Sequence, residues 1–258
     1  MILSESRFWE PLWRVYPTSP SMVLCRVPEL EFAAREDLPS PLLDHCCGDG
    51  LFAEMAFAAR SVDAGCDLNE TSLASARKRG RHKRLDCCDA AQRLPYDDES
   101  FASVFNNSAF EHIPDLDATL AEVARVLRPG GILSFSVLNH RYFEWWPLSE
   151  KQAQDYKAWQ PFYHALDLET WRERLAKVGL RVETASGYFD RTSSEKMAYL
   201  DCLFSGAYLR KHFSWLVLGY RLLPFPVAWR WRQRLAKLDW QAPVEDCAGY
   251  SIRAVKDA

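Results

Sequence analysis

From position 42 to position 138, short continuous apolar runs alternate with segments in which apolar residues recur every three or four positions. The runs Leu42–Cys46, Ser61–Asp67, Leu85–Cys88, Phe101–Asn106 and Ile132–Leu138 predict five strands. Between them, Leu51–Ala59, the stretch after Asn69-Glu70-Thr71 as far as Arg79, and Asp115–Leu127 predict helices. The last has apolar residues at 116, 120, 123, 124 and 127, and Asn69-Glu70-Thr71 can cap its helix. The turn-rich stretch 94–100 leads into the fourth strand, and Arg128-Pro129-Gly130-Gly131 stops a helix and turns into the fifth. Such alternation predicts an α/β chain with a parallel sheet and helices on both faces. After Asn139 the rhythm breaks. Asp167–Lys177 predicts a helix ended at Gly179, Leu180–Phe189 a sixth strand and Tyr250–Val255 a last one. Ahead of the first strand, Phe8, Trp9, Trp13 and Tyr16 precede a helix-like stretch from Met22 to Arg35, interrupted by Pro28.

Composition changes this picture in one place. The net charge is −3 and 48 % of the residues are apolar, ample for a core. Between Cys202 and Leu238, however, there is no Asp or Glu, while Arg210, Lys211, Arg221, Arg230, Arg232, Arg234 and Lys237 all fall there, interleaved with Trp, Tyr, Phe and Leu. Arg221, Pro224 and Pro226 interrupt the apolar stretch, so it is not expected to span a membrane. It suits a helical cap or lid, or peripheral contact with a membrane surface. Nucleic acid is disfavoured by the acidity of the rest of the chain.

The eight cysteines include no C-x-x-C spacing, so no structural metal site is expected. Glu5 and the lack of a basic region followed by an apolar core argue against a secretory signal, and a reducing cytoplasmic compartment is expected.

The chemistry concentrates where the first strand meets the first helix. Leu42-Leu43-Asp44-His45-Cys46-Cys47-Gly48-Asp49-Gly50 ends an apolar run in an acid and closes on two glycines, which let bare backbone approach a ligand. Taken with Gly65-Cys66-Asp67-Leu68, with Asp89-Ala90 and Leu94-Pro95-Tyr96, with Asn106-Asn107-Ser108 and Glu111 to Asp115, and with Glu122 to Gly131, this loop resembles the class I S-adenosylmethionine (SAM)-dependent methyltransferases, of the methyltransferase type 11 kind. The match covers residues 41–138, with weaker agreement from 163 to 189. One departure is Cys46, at the position of the family's first glycine.

The resemblance implies a Rossmann-like, seven-stranded, mostly parallel sheet with helices on both faces, its last strand antiparallel, plus a helical cap near the C-terminus. It divides the chain into an N-terminal helical cover of the active site (1–40), a SAM-binding core (41–190 and 246–258) and an aromatic and basic insertion (191–245). It also implies SAM as cofactor, S-adenosylhomocysteine (SAH) as product and a small-molecule or lipid-like acceptor. Asp44 would meet the ammonium of the methionine tail, directly or through water. Cys46, Cys47, Gly48 and Gly50 form the loop, Asp67 accepts both ribose hydroxyls with Leu68 beside it, Asp89 and Ala90 take the adenine, and Asn106 lies by the methionine portion. His112, after the strand-four tip, is the candidate base, its ordinary pKa of about 6.5 suiting proton removal near neutrality. His164 is a second candidate, lining the acceptor pocket. Two other readings stay open at this level. Gly48-x-Gly50-x-x-Ala53 with Asp67 also fits an NAD-binding oxidoreductase, although that leaves Asp44 and the 89–95 segment unexplained. Cys46 in turn motivates a non-catalytic, methyltransferase-like scaffold.

Overall fold

The computed structural model describes residues 1–147, 149–204, 230 and 232–257. Its strands are β1 (Leu42–His45), β2 (Ala64–Asp67), β3 (Leu85–Cys87), β4 (Phe101–Asn107), β5 (Leu127–Leu138), β6 (Leu180–Tyr188), β7 (Gln241–Ala242) and β8 (Gly249–Lys256). They form an eight-stranded mixed sheet in the order β3-β2-β1-β4-β5-β8-β6-β7. β1 pairs parallel with β2 and β4, β2 with β3, and β4 with β5, while the C-terminal strands are antiparallel. The expected Rossmann-like architecture is present. The two-residue β7, at the edge, is an eighth strand too short to leave a periodic signal; Gly187 and Tyr188 pair with it antiparallel.

The chain divides into two compact units. The sheet unit comprises 32–139, 162–186 and 250–258. It holds α3 (Leu51–Ala56), α4 (Glu70–Arg79), α5 (Leu116–Val126) and α8 (Leu168–Lys177). Three of these helices begin on a side-chain cap, at Asn69, which the sequence offers as one, and at Asp115 and Asp167, where the predicted helices begin. The Asn69 side chain accepts from Thr71 and Ser72 N–H, Asp115 from Ala118 N–H and Asp167 from Thr170 N–H. In the core, Phe110, Phe135 and Trp171 pack ring on ring, and Phe105 lies against Phe52 and Phe57. Arg128-Pro129-Gly130-Gly131 is a loop inside β5 rather than a gap before it. The register with β4 jumps from Phe101↔Leu127 to Ser103↔Ile132, with Gly130 at φ +72°.

The other unit comprises 1–31, 140–161 and 187–249. Its helices include α1 (Trp9–Val15), α6 (Arg141–Glu144), α7 (Glu150–Trp159) and α9 (Arg191–Phe204), with most of α2 (Pro20–Ala33). α2 runs unbroken through Pro28, which forgoes one backbone hydrogen bond without ending the helix. Met1 and Leu3 are tied to the 238–241 segment, and Tyr156 Oη donates to Asp201 at 2.5 Å. Most of the 202–238 stretch lies outside the described residues. No described helix is long and apolar enough to cross a membrane.

Candidate active site

The carboxyl ends of β1, β2, β3 and β4 gather nearly all the residues singled out in the sequence, with β1 seated between β2 and β4. This is where an open α/β sheet leaves a crevice for a ligand. The loop after β1 is forced into left-handed backbone at three positions, Cys46 (φ 58°), Gly48 (φ 54°) and Gly50 (φ 75°). A Cβ on Gly48 would meet nothing within 4 Å, whereas one on Gly50 would crowd Ala76 at 3.1 Å. Gly48 therefore faces open space and Gly50 packs on α4. Cys46 adopts the same backbone despite its Cβ, which is strained for an L residue. Burial, then the Asp67 and Asp44 charges, push its thiol well above the ordinary range, so it stays protonated. Burial does the same to Cys47. Neither is an activated nucleophile.

Asp67, ending β2, has each carboxylate oxygen on a backbone donor: Oδ2 accepts from Gly48 N–H and Oδ1 from Asn69 N–H, both at 2.8 Å. The acid thus locks the glycine loop and keeps lone pairs for a further donor. Leu68 beside it is 70 % exposed, a large apolar side chain left uncovered at the mouth of the crevice. Asp89 caps its own turn through Ala91 N–H (2.9 Å) and the Gln92 amide (3.4 Å), with Ala90 buried behind it. The Leu94–Asp98 stretch that follows is clamped by α5: Glu122 accepts from Leu94 N–H at 2.8 Å, and Arg125 reaches the Leu94 and Tyr96 carbonyls and Asp98.

Asn106, at the tip of β4, is fully buried. Its Nδ2 donates to His45 Nδ1 (2.9 Å) and to the His45 carbonyl (3.1 Å), and its Oδ1 has no partner among the described residues. His45 is equally buried, its pKa pushed down to about 4 by desolvation, so the ring is neutral with its proton on Nε2.

Asp44 is buried, with 8 % of its side-chain surface still exposed. Its Oδ2 lies 2.9 Å from Nε2 of His82, whose side chain has no exposed surface. Cys47 joins these two to give three potential metal-ligand atoms within 4.8 Å of one another, a group that sequence spacing does not reveal. His45 and His82 were missed in the sequence. The sequence holds a signal for His82 alone, Gly65 inside β2, where a Cβ would strike the His82 ring at 2.7 Å.

The two candidate bases belong to one neighbourhood. His112 is half-buried in the turn Phe110–His112 after β4, its ring centroid 4.5 Å from that of Phe162. Tyr163 and His164 donate their N–H groups to the Glu111 carbonyl (2.8 and 3.3 Å), and His164 Nε2 lies 3.1 Å from the Pro114 carbonyl. A surface cavity of about 260 Å³ lined by Asp63, Ala64, Arg84 and Phe101 lies at the amino-terminal ends of β2 and β4, and none of the candidate residues lines it.

Residues 43–135 match the family model for a methyltransferase domain. Among curated relatives, the ubiquinone biosynthesis O-methyltransferase of Coxiella burnetii is 25 % identical over 179 residues, 62 % of this chain and 75 % of that one. The phthiotriol/phenolphthiotriol dimycocerosates methyltransferase of Mycobacterium tuberculosis is 38 % identical over 102 residues, covering 38 % of this chain and 37 % of that one. Of the solved structures, a SAM-dependent methyltransferase from Thermotoga maritima superposes with a TM-score of 0.61 at 18 % identity, over 97 % of both chains. Residues 43–135 thus match a methyltransferase domain in sequence, and the fold is that of the class I, Rossmann-like methyltransferases.

Proposed function

We propose that the chain transfers a methyl group from SAM to a small-molecule or lipid-like acceptor, releasing SAH. The observation that carries this reading is the convergence at the carboxyl ends of β1 and β2 of a glycine-lined opening at Gly48, the Asp67 carboxylate and an uncovered Leu68. These fit the cofactor: a ribose diol for the acid, an apolar adenine face for the leucine, and bare backbone beside the methionine end. The unpartnered, buried Oδ1 of Asn106 offers an acceptor toward the methionine portion. When bound, SAM supplies a methyl group on a sulfonium, already activated for in-line displacement. The protein's part is then to hold donor and acceptor in line and to exclude water.

Asp44 meets the tail ammonium in this reading, Cys46, Cys47 and Gly50 shape the loop, and Asp89 with Ala90 borders the adenine. His112 takes the proton of a neutral acceptor. His164, whose Nε2–H is spent on the Pro114 carbonyl, keeps Nδ1 as its available nitrogen. The cytoplasm is the proposed compartment, and the 202–238 segment the proposed contact with a membrane surface. Calorimetry with SAM and SAH tests the cofactor; absence of binding to both would refute it. His112→Ala with intact SAM binding and unchanged turnover would remove His112 from the mechanism. Incubation with candidate acceptors, read by mass spectrometry for the gain of one methylene, identifies the substrate.

A further inference from the structure

His82 sits between α4 and β3 and belongs to none of the motifs in the sequence. Its backbone is fixed beside the entry to β2: Val62 N–H donates to the Arg81 carbonyl (3.0 Å) and Lys83 N–H to the Val62 carbonyl (2.9 Å). The ring slides under two glycines. A Cβ at Gly65 would lie 2.7 Å from its Cδ2, and one at Gly50 3.5 Å from its Cε1. In that slot Nε2 is 2.9 Å from Asp44 Oδ2, while Nδ1 meets no partner among the described residues. With Nδ1 bare, Nε2 carries the proton and donates to the carboxylate. Burial pushes the Asp44 carboxyl up toward its neutral form; the hydrogen bond from His82 opposes that, and the Asp67 charge adds to it. A neutral acid would have little to offer an ammonium.

We propose that His82 is a positioning residue for the amino-acid end of the cofactor, its Nε2–H holding the Asp44 carboxylate ready for the ammonium of SAM or SAH. This role rests on the cofactor reading above and predicts a selective defect. SAH carries the ammonium, whereas 5′-methylthioadenosine has the same adenosine and sulfur without it. Calorimetry with both ligands on wild type, His82→Leu, His82→Gln and Asp44→Asn separates the possibilities.

The leucine variant is expected to bind SAH about tenfold more weakly or worse, and methylthioadenosine within about twofold of wild type. His82→Gln, whose amide can donate to the same carboxylate, restores most of the SAH affinity. Placed on Asp44→Asn, His82→Leu adds no further loss, because the two act through one contact. Unchanged SAH affinity overturns the proposal. So does equal loss of both ligands, which marks a ring that only supports the fold, and so does a glutamine variant no better than leucine. If His82→Leu does not fold by circular dichroism, His82→Asn, whose shorter amide falls short of Asp44, takes its place with the same criteria. A wild-type protein that binds neither ligand overturns the cofactor reading itself, a result distinct from the other three.

Discussion

Replacing His45 with valine should remove most of the acid sensitivity that this histidine gives the fold between pH 5 and pH 7. His45 is fully buried, and burial pushes its pKa from 6.5 down to about 4. In the unfolded chain the same ring titrates near its ordinary value of about 6.5. Between those two values the unfolded state binds a proton that the folded state rejects. Stability therefore rises with pH across the window from about 4 to about 6.5 and is level above it. That displacement corresponds to about 3 kcal/mol in full, and the part lost between pH 7 and pH 5 is about 2 kcal/mol. Valine suits a strand position, and the Asn106 amide keeps the residue-45 carbonyl, now at 3.1 Å, as its acceptor. Urea unfolding of both proteins at pH 5 and pH 7 gives a difference of differences in which every other titrating group cancels. The expected value is about 2 kcal/mol, with the variant the flatter. Equal pH dependence of the two proteins would refute the claim that His45 is held neutral by burial.

Two further substitutions probe the loop and its support. Cys46→Gly removes the strain of a left-handed L residue at φ 58°, set against the greater chain entropy of unfolded glycine. A net gain of about 0.5–1 kcal/mol is expected, read as a thermal midpoint raised by about 2 °C, without loss of SAM affinity. Glu122→Ala takes the acceptor from Leu94 N–H and the partner from Arg125. Discounted for partial exposure, the cost is about 1–2 kcal/mol by urea unfolding at pH 7. The Arg125 hydrogen bond holds the Glu122 carboxyl below its usual range, so the wild-type advantage is present above the unfolded carboxyl value of about 4.3 and fades as pH falls through the lower folded one.

What the sequence disclosed, it disclosed through local rules. The caps at Asn69, Asp115 and Asp167 act within three residues of themselves, so each helix start was readable from its own neighbourhood. The glycines at 48 and 50 mark a loop whose backbone only glycine adopts easily, and the alternation of runs between 42 and 138 dictated the parallel sheet. The two buried histidines obey no local rule. His82 meets Asp44 across 38 positions, and Asn106 meets His45 across 61. Both contacts exist only because β1 lies between β2 and β4. Gly65 hinted at one of them, since a glycine inside a strand marks a close approach, but the residue that approaches is not written beside it. β7 escaped notice for a different reason, because two residues carry no period.

The departure at Cys46 makes physical sense once those contacts are considered together. The tip of β1 is held on both sides by side chains: Asp44 by the His82 imidazole and His45 by the Asn106 amide, with Cys46 Sγ 3.5 Å from the same His45 nitrogen. Strand pairing extends this grip, joining His45 to Cys66 on one side and to Asn106 on the other. With residues 44 and 45 so fixed, and Cys47 N–H bonded to the Cys66 carbonyl at 2.9 Å, the dihedrals of residue 46 are set by its neighbours rather than by its own preference. A strained residue persists where the surroundings over-determine it. A glycine is therefore dispensable at 46, since the path of the loop is imposed from both flanks and the thiol stays protonated in its buried site. Loosening a flank should let residue 46 relax, so by urea unfolding Cys46→Gly should stabilise the protein less in a His45→Ala background than in wild type, and an equal gain in the two would refute this account.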